Sequence, residues 1–391
     1  MYKILKLNQI ASKGLEIFPQ NTYEIASEFS HPDAILVRSH LLTPEDMPST
    51  LMAIARAGAG VNNIPVPACT ERGIPVFNTP GANANAVKEL VLAALILTSR
   101  GVAAGMNFVN TLTTVSTPAE MSKIIEKSKK QFAGQELLGK TLGVVGLGKI
   151  GSLVADMGLQ LGMEVIGFDP ALSVDAAWRL PNQIQRIENL PTLLSRADYV
   201  TLHLPFLEST KDLINDNNIR FLKPGSRLLN FARGGIVNSP AVLSALDNGT
   251  LFRYATDFPE PELLGRDDVI LLPHIGASTV EAEETCAVMA ARQLRDFLEN
   301  GNIVNSVNFP PLSLERTGGS RIAITNQNIP KMLGKITSIL ADSDLNVNEM
   351  LNKSRDDIAY NLIDLDSPPT KELLSALQAI DGVVNVRTVF S

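Results

Sequence analysis

The stretch from Thr141 to Asp169 constrains this chain more than any other. Thr141–Gly146 is an apolar run that reads as a strand. Gly146-Leu-Gly148-Lys-Ile-Gly151 follows at once, Lys149 to Leu161 has helical spacing, and Glu164–Asp169 reads as a second strand ending on an acid. Glycine is common, so the triplet alone says little. Between a strand and a helix it has a physical purpose. The first glycine permits a tight turn, the second lets backbone approach a pyrophosphate, and the third lets helix and strand pack closely. The helix then turns free N–H groups and the positive end of its dipole towards the phosphates. Asp169 stands near the spacing of about 20 residues expected of the acid that bonds the adenosine ribose. Its charge would repel a 2′-phosphate, so NAD is the expected cofactor rather than NADP.

Strands and helices alternate on both sides of this element. Ala34–Val37 and Ile74–Phe77 read as buried parallel strands, Thr43 and Pro44 as a helix start, and Ala86–Arg100 as a buried helix that Gly101 is placed to stop. Further strands are expected at Tyr199–Leu202, Arg227–Asn230, Tyr254–Asp257 and Val269–Leu272, with helices such as Ala241–Asp247 between most of them. Such alternation implies an α/β fold with a Rossmann-type doubly wound parallel sheet. A long helix, Val280 to Glu299, comes next. Pro310-Pro311 and Thr317-Gly318-Gly319 then punctuate a linker. Beyond it, strands at Arg321–Thr325, Asn346–Leu351, Ala359–Asp364 and Val383–Val389, with helices at Lys331–Ala341 and Lys371–Ala379, spell a ferredoxin-like α+β unit in the order βαββαβ.

Composition narrows the partners. The 391 residues are 45% apolar and 19% charged, enough for two or three packed domains. A net charge of -7 argues against nucleic acid as the main partner. Cys69 and Cys286 lie far apart, in no metal-like spacing, which suits a reducing cytoplasm and no metal site. MYKILKLNQIA at the start has no signal-peptide pattern, and the apolar run Leu90 to Leu97 falls far short of the ~20 residues of a membrane helix.

Three motifs close predicted strands: Asn230-Phe-Ala-Arg233-Gly234-Gly235, Asp257-Phe-Pro-Glu260-Pro261 and Pro273-His274-Ile-Gly276-Ala-Ser-Thr279. The carboxyl ends of strands are where an open α/β sheet binds its ligands. Oxidising a 2-hydroxy acid requires a base for the hydroxyl proton as hydride leaves C2, and histidine suits that near neutral pH. A carboxylate beside it can orient the ring. An arginine can grip the substrate carboxylate with two donors.

These motifs, with Val37-Arg38-Ser39, Arg56-Ala-Gly58-Ala-Gly60-Val61-Asn62-Asn63-Ile64, Asn78-Thr79-Pro80-Gly81-Ala-Asn83-Ala and His203-Leu204-Pro205, resemble the D-isomer-specific 2-hydroxyacid dehydrogenases from about Ile35 to Pro310. The resemblance implies Arg233 as substrate anchor, His274 as acid/base and Glu260 as its partner. The loop after Asp257 is shorter than usual there, which leaves Glu262 as the alternative to Glu260. Asn62 replaces a customary aspartate, with only a local effect expected on its loop. For the cofactor it implies Gly146, Gly148, Lys149, Ile150 and Gly151 at the pyrophosphate. His203, Leu204, Pro205 and Thr210, with Asp169, would flank the adenosine, and Ala232, Asp257, His274 and Gly276 the nicotinamide. It also implies a flavodoxin-like α/β substrate domain at 1–90 and 283–312, an NAD-binding domain at 91–282, and a cleft that closes between them.

Within the family the pattern is most similar to the branch that oxidises 3-phosphoglycerate, the entry to L-serine. Arg38 and Arg56, with Ser39, Gly58, Ala59 and Gly60, would hold the phosphate end; the alternative, read from the residues alone, is that the two arginines pair with acids at a domain edge. A glyoxylate or hydroxypyruvate reductase is the alternative enzyme. An NAD-sensing corepressor with a dehydrogenase fold is the alternative from another class. Residues 319–391 resemble an ACT domain, which implies regulation by L-serine or another amino acid through Asn326, Asn328 and Asn346, or dimerisation without a ligand. Serine-binding versions usually carry His at the position of Asn326 and Gly at that of Lys331. The insertion from Arg100 to Leu138 resembles the family's dimerisation arm, so a homodimer or homotetramer is expected.

Overall fold

The computed structural model describes residues 1–390. The chain divides into two compact units, Met1–Asn83 with Val280–Ser391, and Ala84–Thr279.

The chain opens with β1 (Tyr2–Leu7), α1 (Ser12–Leu15), β2 (Tyr23–Ala26), β3 (Ala34–Val37), β4 (Ala53–Arg56), α2 (Val66–Glu71) and β5 (Val76–Phe77). The strands form a parallel sheet in the order β2-β1-β3-β4-β5, the flavodoxin-like arrangement. β3 is buried on both faces, as its run of Ala-Ile-Leu-Val requires. The strand expected from Ile74 shrinks to Val76–Phe77. Pro75 has no N–H to donate, and only its carbonyl bonds, to the Ile54 N–H at 3.1 Å. The helix expected after Thr43 is a single 3₁₀ turn, Pro44–Asp46, closed by a capping box between Thr43 and Asp46. Met47, extended as a residue before proline prefers, stops it.

The second unit begins with α3 (Ala84–Ser99), α4 (Val102–Thr111) and α5 (Pro118–Ser128). It continues through β6 (Thr141–Val145), α6 (Lys149–Gln160), β7 (Glu164–Phe168), α7 (Val174–Ala177), β8 (Gln185–Arg186), α8 (Leu190–Arg196), β9 (Tyr199–Leu202), β10 (Ser226–Asn230), α9 (Ser239–Asp247), β11 (Leu251–Thr256) and β12 (Val269–Leu271). All seven strands are parallel, in the order β12-β11-β10-β9-β6-β7-β8. The order reverses between β6 and β9, the switch point where such sheets take nucleotides. Val91 and Leu95 of α3 and Val154 of α6 cover one face against Leu142, Val144 and Ala255. Leu193 and Leu194 of α8 and Val242 of α9 cover the other against Val200 and Leu228. Gly101 does not end α3 as a left-handed cap. Its φ is -75°, and glycine stands there because a Cβ would lie 2.9 Å from the Phe132 Cα. No single helix among the described residues is long and apolar enough to cross a membrane.

The chain returns to the first unit through α10 (Val280–Asn300) and builds β13 (Ser320–Gln327), α11 (Met332–Asp342), β14 (Val347–Arg355), β15 (Ile358–Leu365), α12 (Lys371–Gln378) and β16 (Val383–Phe390). These strands form an antiparallel sheet in the order β14-β15-β13-β16. One face packs Ile322, Ile324 and Ile363 under Ile336 of α11 and Leu377 of α12. The other face is not free. Ala323, Tyr360 and Leu362 share a core with Phe77, Phe297, Ile303 and Phe309. The Arg321 side chain is fully buried there, and all five of its N–H donors are placed. Nε and Nη2 reach Asp364 at 2.5 and 2.8 Å, Nη1 bonds the carbonyls of Asn300 and Leu314, and Nη2 that of Glu315. Tyr360 donates to the Gly301 carbonyl and Arg387 to that of Phe297. The stretch from Phe309 to Leu314 is therefore packed chain, with Phe309, Leu312 and Leu314 all buried, while 315–319 are exposed.

Candidate active site

The glycine turn sits at the carboxyl end of β6. Gly146 has φ +91°, and a Cβ on it would stand 2.6 Å from the His203 carbonyl oxygen. A Cβ on Gly151 would stand 1.9 Å from the Gly146 carbonyl oxygen, so the helix starts against the turn only without side chains. Gly148 differs: a Cβ there would meet nothing within 4 Å. Gly148 also caps α6 without a side-chain acceptor, so the first turn, from Lys149 and Ile150 on, starts without a side-chain cap. Asp169 accepts from the Leu147 N–H at 2.8 Å and the Ala171 N–H at 3.0 Å, which fixes the acid beside the turn. An open cradle, an uncapped helix start and a fixed acid fit a dinucleotide.

The neighbouring loop after β9 carries His203, Leu204 and Pro205. His203 Nε2 lies 2.9 Å from Thr201 Oγ1, while Nδ1 is buried without a partner. Burial pushes its pKa down to about 3, so the ring is neutral at physiological pH. Thr210 Oγ1 donates to the Pro205 carbonyl and accepts from the Leu207 N–H, closing this loop.

The three strand-end motifs leave the sheet side by side. Asn230 pairs with Thr256, and Thr256 with Leu271, so β10, β11 and β12 end in register. Loops from the outer two therefore start about 10 Å apart. Asn230 is buried; its amide donates to the Arg233 carbonyl and accepts from the Ala232 N–H, fixing the turn that presents Arg233. Arg233 is exposed, with Nη1 on the Ala232 carbonyl, and desolvation by the surrounding protein lowers its pKa. His274 is exposed and holds φ +57°, a left-handed conformation costly for a non-glycine residue. Buried Asp257 stabilises that loop by accepting the N–H groups of Ile275 and Gly276. The ring of Phe258 stands 4.8 Å from that of His274, and its Cβ lies 3.7 Å from where a Cβ on Gly234 would be. Phe258 therefore joins the two loops, a role that nothing in the residue pattern announced.

Of the two candidate carboxylates, Glu260 is half-buried and Glu262 exposed. Ser239 Oγ donates to Glu260 at 2.6 Å, and among the described residues no hydrogen bond links either acid to His274.

In the first unit, β3 and β4 end on Val37 and Arg56 in register, so Arg38 and the loop Gly58-Ala59-Gly60 lie together. Arg56 is turned inward: Nε bonds the Arg38 carbonyl at 2.9 Å and Nη1 the Gly60 carbonyl. Asn78 and the Thr79 N–H hold the carbonyls of Ala59 and Gly58. Ser39 is exposed, its N–H on Asn8. Arg38 is half-exposed and pairs with Glu283 at 2.6 Å.

In the C-terminal sheet, Asn326 is buried. Its oxygen accepts from Asn361, whose own oxygen accepts from Asn352, giving an amide chain across three strands. Asn328 and Asn346 are exposed, and among the described residues no hydrogen bond links either to Asn326. Lys331 holds φ +74°, a conformation glycine adopts more readily.

Residues 95–276 match the family described as D-isomer specific 2-hydroxyacid dehydrogenase, NAD binding domain. The chain is 35% identical over 352 residues to a D-3-phosphoglycerate dehydrogenase of Haemophilus influenzae, covering 87% of this chain and 82% of the relative. It is 34% identical to the protein of the same name from Escherichia coli, with the same coverage. The structure of a 3-phosphoglycerate dehydrogenase from Entamoeba histolytica with bound NAD+ superposes with a TM-score of 0.62 at 25% identity, covering 78% of this chain and 98% of that one. With its dinucleotide cradle and relatives matched over most of both lengths, this chain belongs to the D-isomer specific 2-hydroxyacid dehydrogenase family, and it is an NAD-dependent dehydrogenase.

Proposed function

We propose that this enzyme oxidises 3-phosphoglycerate to 3-phosphohydroxypyruvate, the first step towards L-serine. The reading rests on one observation above others: Arg233 and His274 stand on loops that leave β10 and β12, two strands in register on either side of β11, and meet at Phe258. NAD, when bound, supplies the hydride acceptor. Arg233 grips the substrate carboxylate with its planar fork and stays charged, as guanidinium groups in proteins do. His274 takes the proton of the C2 hydroxyl and returns it in the reverse direction. Glu260 favours the imidazolium that results. Gly146 to Gly151 and Asp169 hold the dinucleotide, with His203, Leu204, Pro205 and Thr210 along the adenosine and Ala232, Asp257 and Gly276 beside the nicotinamide. Arg38, Ser39 and Gly58 to Gly60 receive the phosphate end, and Arg56 shapes that loop from beneath.

The relatives' names favour 3-phosphoglycerate over glyoxylate or hydroxypyruvate. Two free, buried cysteines suit a cytoplasmic enzyme. The exposed Val102, Met106 and Val109 on α4 suit an arm that pairs two copies. Asn326 of the C-terminal sheet, with Asn328 and Asn346, is the proposed place for an amino-acid effector such as L-serine.

The test is NADH formation from 3-phosphoglycerate and from D-glycerate, with and without L-serine, in the wild type and in His274→Ala. Turnover that prefers the phosphorylated acid and collapses in the variant, with NAD affinity retained, is the expected result. No turnover on any 2-hydroxy acid overturns the reading in favour of an NAD-binding regulator.

A further inference from the structure

Two arginines stand at the carboxyl ends of β3 and β4, and the structure puts them to different uses. Arg56 donates to two main-chain carbonyls, that of Arg38 after β3 and that of Gly60 in its own loop. The guanidinium of Arg38 has one hydrogen-bond partner among the described residues, the Glu283 carboxylate at 2.6 Å. Glu283 lies in the first turn of α10, the end of a helix that attracts negative charge. Its neighbour Glu284 is taken up by Lys13 at 2.5 Å, so the two acids serve different cations. Both side chains of the Arg38–Glu283 pair are about two-fifths exposed, at 38% and 40%. A pair that open to water is weak and exchanges readily.

We infer that Glu283 is a specificity-determining residue: it occupies Arg38 until a phosphoryl group displaces it, and so sets how strongly the phosphorylated end of a substrate is held. The inference rests on the proposed phosphate-binding role of Arg38. A phosphoryl dianion offers three acceptor oxygens to the guanidinium fork and outcompetes one carboxylate. It must nevertheless overcome that carboxylate, both as a competitor and as a nearby like charge. An uncharged substrate tail gains nothing from Arg38, so Glu283 weakens phosphate recognition without touching the chemistry at C2.

Glu283→Gln keeps the shape and an acceptor oxygen but removes the charge. The KM for 3-phosphoglycerate should fall about twofold to fivefold, the range expected for a half-exposed pair, with kcat little changed. The KM for D-glycerate should hold, and competitive inhibition by inorganic phosphate should strengthen by the same factor. In an Arg38→Ala background the Glu283→Gln effect should vanish. A raised or unchanged KM for 3-phosphoglycerate overturns the inference, as does an equal shift for both acids. Should the wild type fail to oxidise 3-phosphoglycerate, the functional reading falls, while calorimetric titration with inorganic phosphate still decides the role of Glu283.

Discussion

The Asp257 carboxylate lies 2.7 Å from the Gly276 amide nitrogen, and its other oxygen lies 2.9 Å from that of Ile275. It is buried, and both contacts are charge-assisted bonds to the backbone that carries His274 through a left-handed turn. Asp257→Asn replaces one acceptor by an N–H₂ group facing an N–H donor. Hydrogen bonds to charged groups contribute about 1.5–3 kcal/mol each, so the loop should loosen. We expect kcat to fall at least about tenfold, with a loss of global stability no greater than one such bond. Steady-state kinetics beside denaturant melts check this, and unchanged kcat would show that the clamp is dispensable.

Two glycines of the dinucleotide turn should respond in opposite ways. Gly151→Ala drives a Cβ to 1.9 Å from a backbone oxygen, so the turn itself must move and the thermal midpoint should drop by several degrees. Gly148→Ala meets no protein atom within 4 Å, so the fold should be unharmed. The methyl instead enters the space where the pyrophosphate would lie. NAD affinity should weaken in both, but only Gly148→Ala should do so at wild-type thermal stability.

His203 links stability to pH. Its pKa falls from 6.5 to about 3 on folding because the ring is desolvated. The unfolded chain therefore binds the proton that the folded chain refuses. The associated stability is fully present above pH 6.5 and declines as the pH drops towards 3. His203→Gln should flatten the wild-type decline in thermal midpoint between about pH 7 and pH 5. Parallel curves for the two proteins would remove His203 as the cause.

Arg321 and Asp364 are a buried pair at full burial of both side chains. Removing one partner leaves the other charge uncompensated, at a cost of about 3–5 kcal/mol. Arg321→Leu should lose that much in urea unfolding, with a further share from the three freed carbonyls of Asn300, Leu314 and Glu315. A loss below ~1 kcal/mol would mean that water enters and screens Asp364.

The doubly wound sheet was legible because its strand, glycine turn, helix and acid follow in an order that few other folds require. The strand-end loops were legible from Arg233 and His274, whose chemistry is unusual beside a nucleotide turn. Phe258 and Asn230 were not, since a phenylalanine and an asparagine in a loop carry no signal until the register of β10, β11 and β12 is known. Sequence shows the charge of Arg56 but not the Arg38 and Gly60 carbonyls to which it donates. Gly101 read as a helix stop because the crowding by Phe132 comes from more than thirty residues away. The second covered face of the C-terminal sheet was not legible either. Ile358–Leu365 is buried at every position, where a sheet covered by helices on one face alone would alternate. In sequence, Asn361 and Asp364 interrupt that run and hide it.

Regulatory modules carried on tethers can be traded between enzymes. The C-terminal sheet of this chain has given up that freedom. Its arginine is sunk among the main-chain carbonyls of the segment that precedes it, and Tyr360 and Leu362 complete its neighbour's interior. Cutting the chain at Gly318 would not liberate a module; it would strip the core around Phe77, Phe297 and Phe309 of a wall. A chimera that borrows this sheet must therefore borrow α10 and the stretch to Leu314 with it.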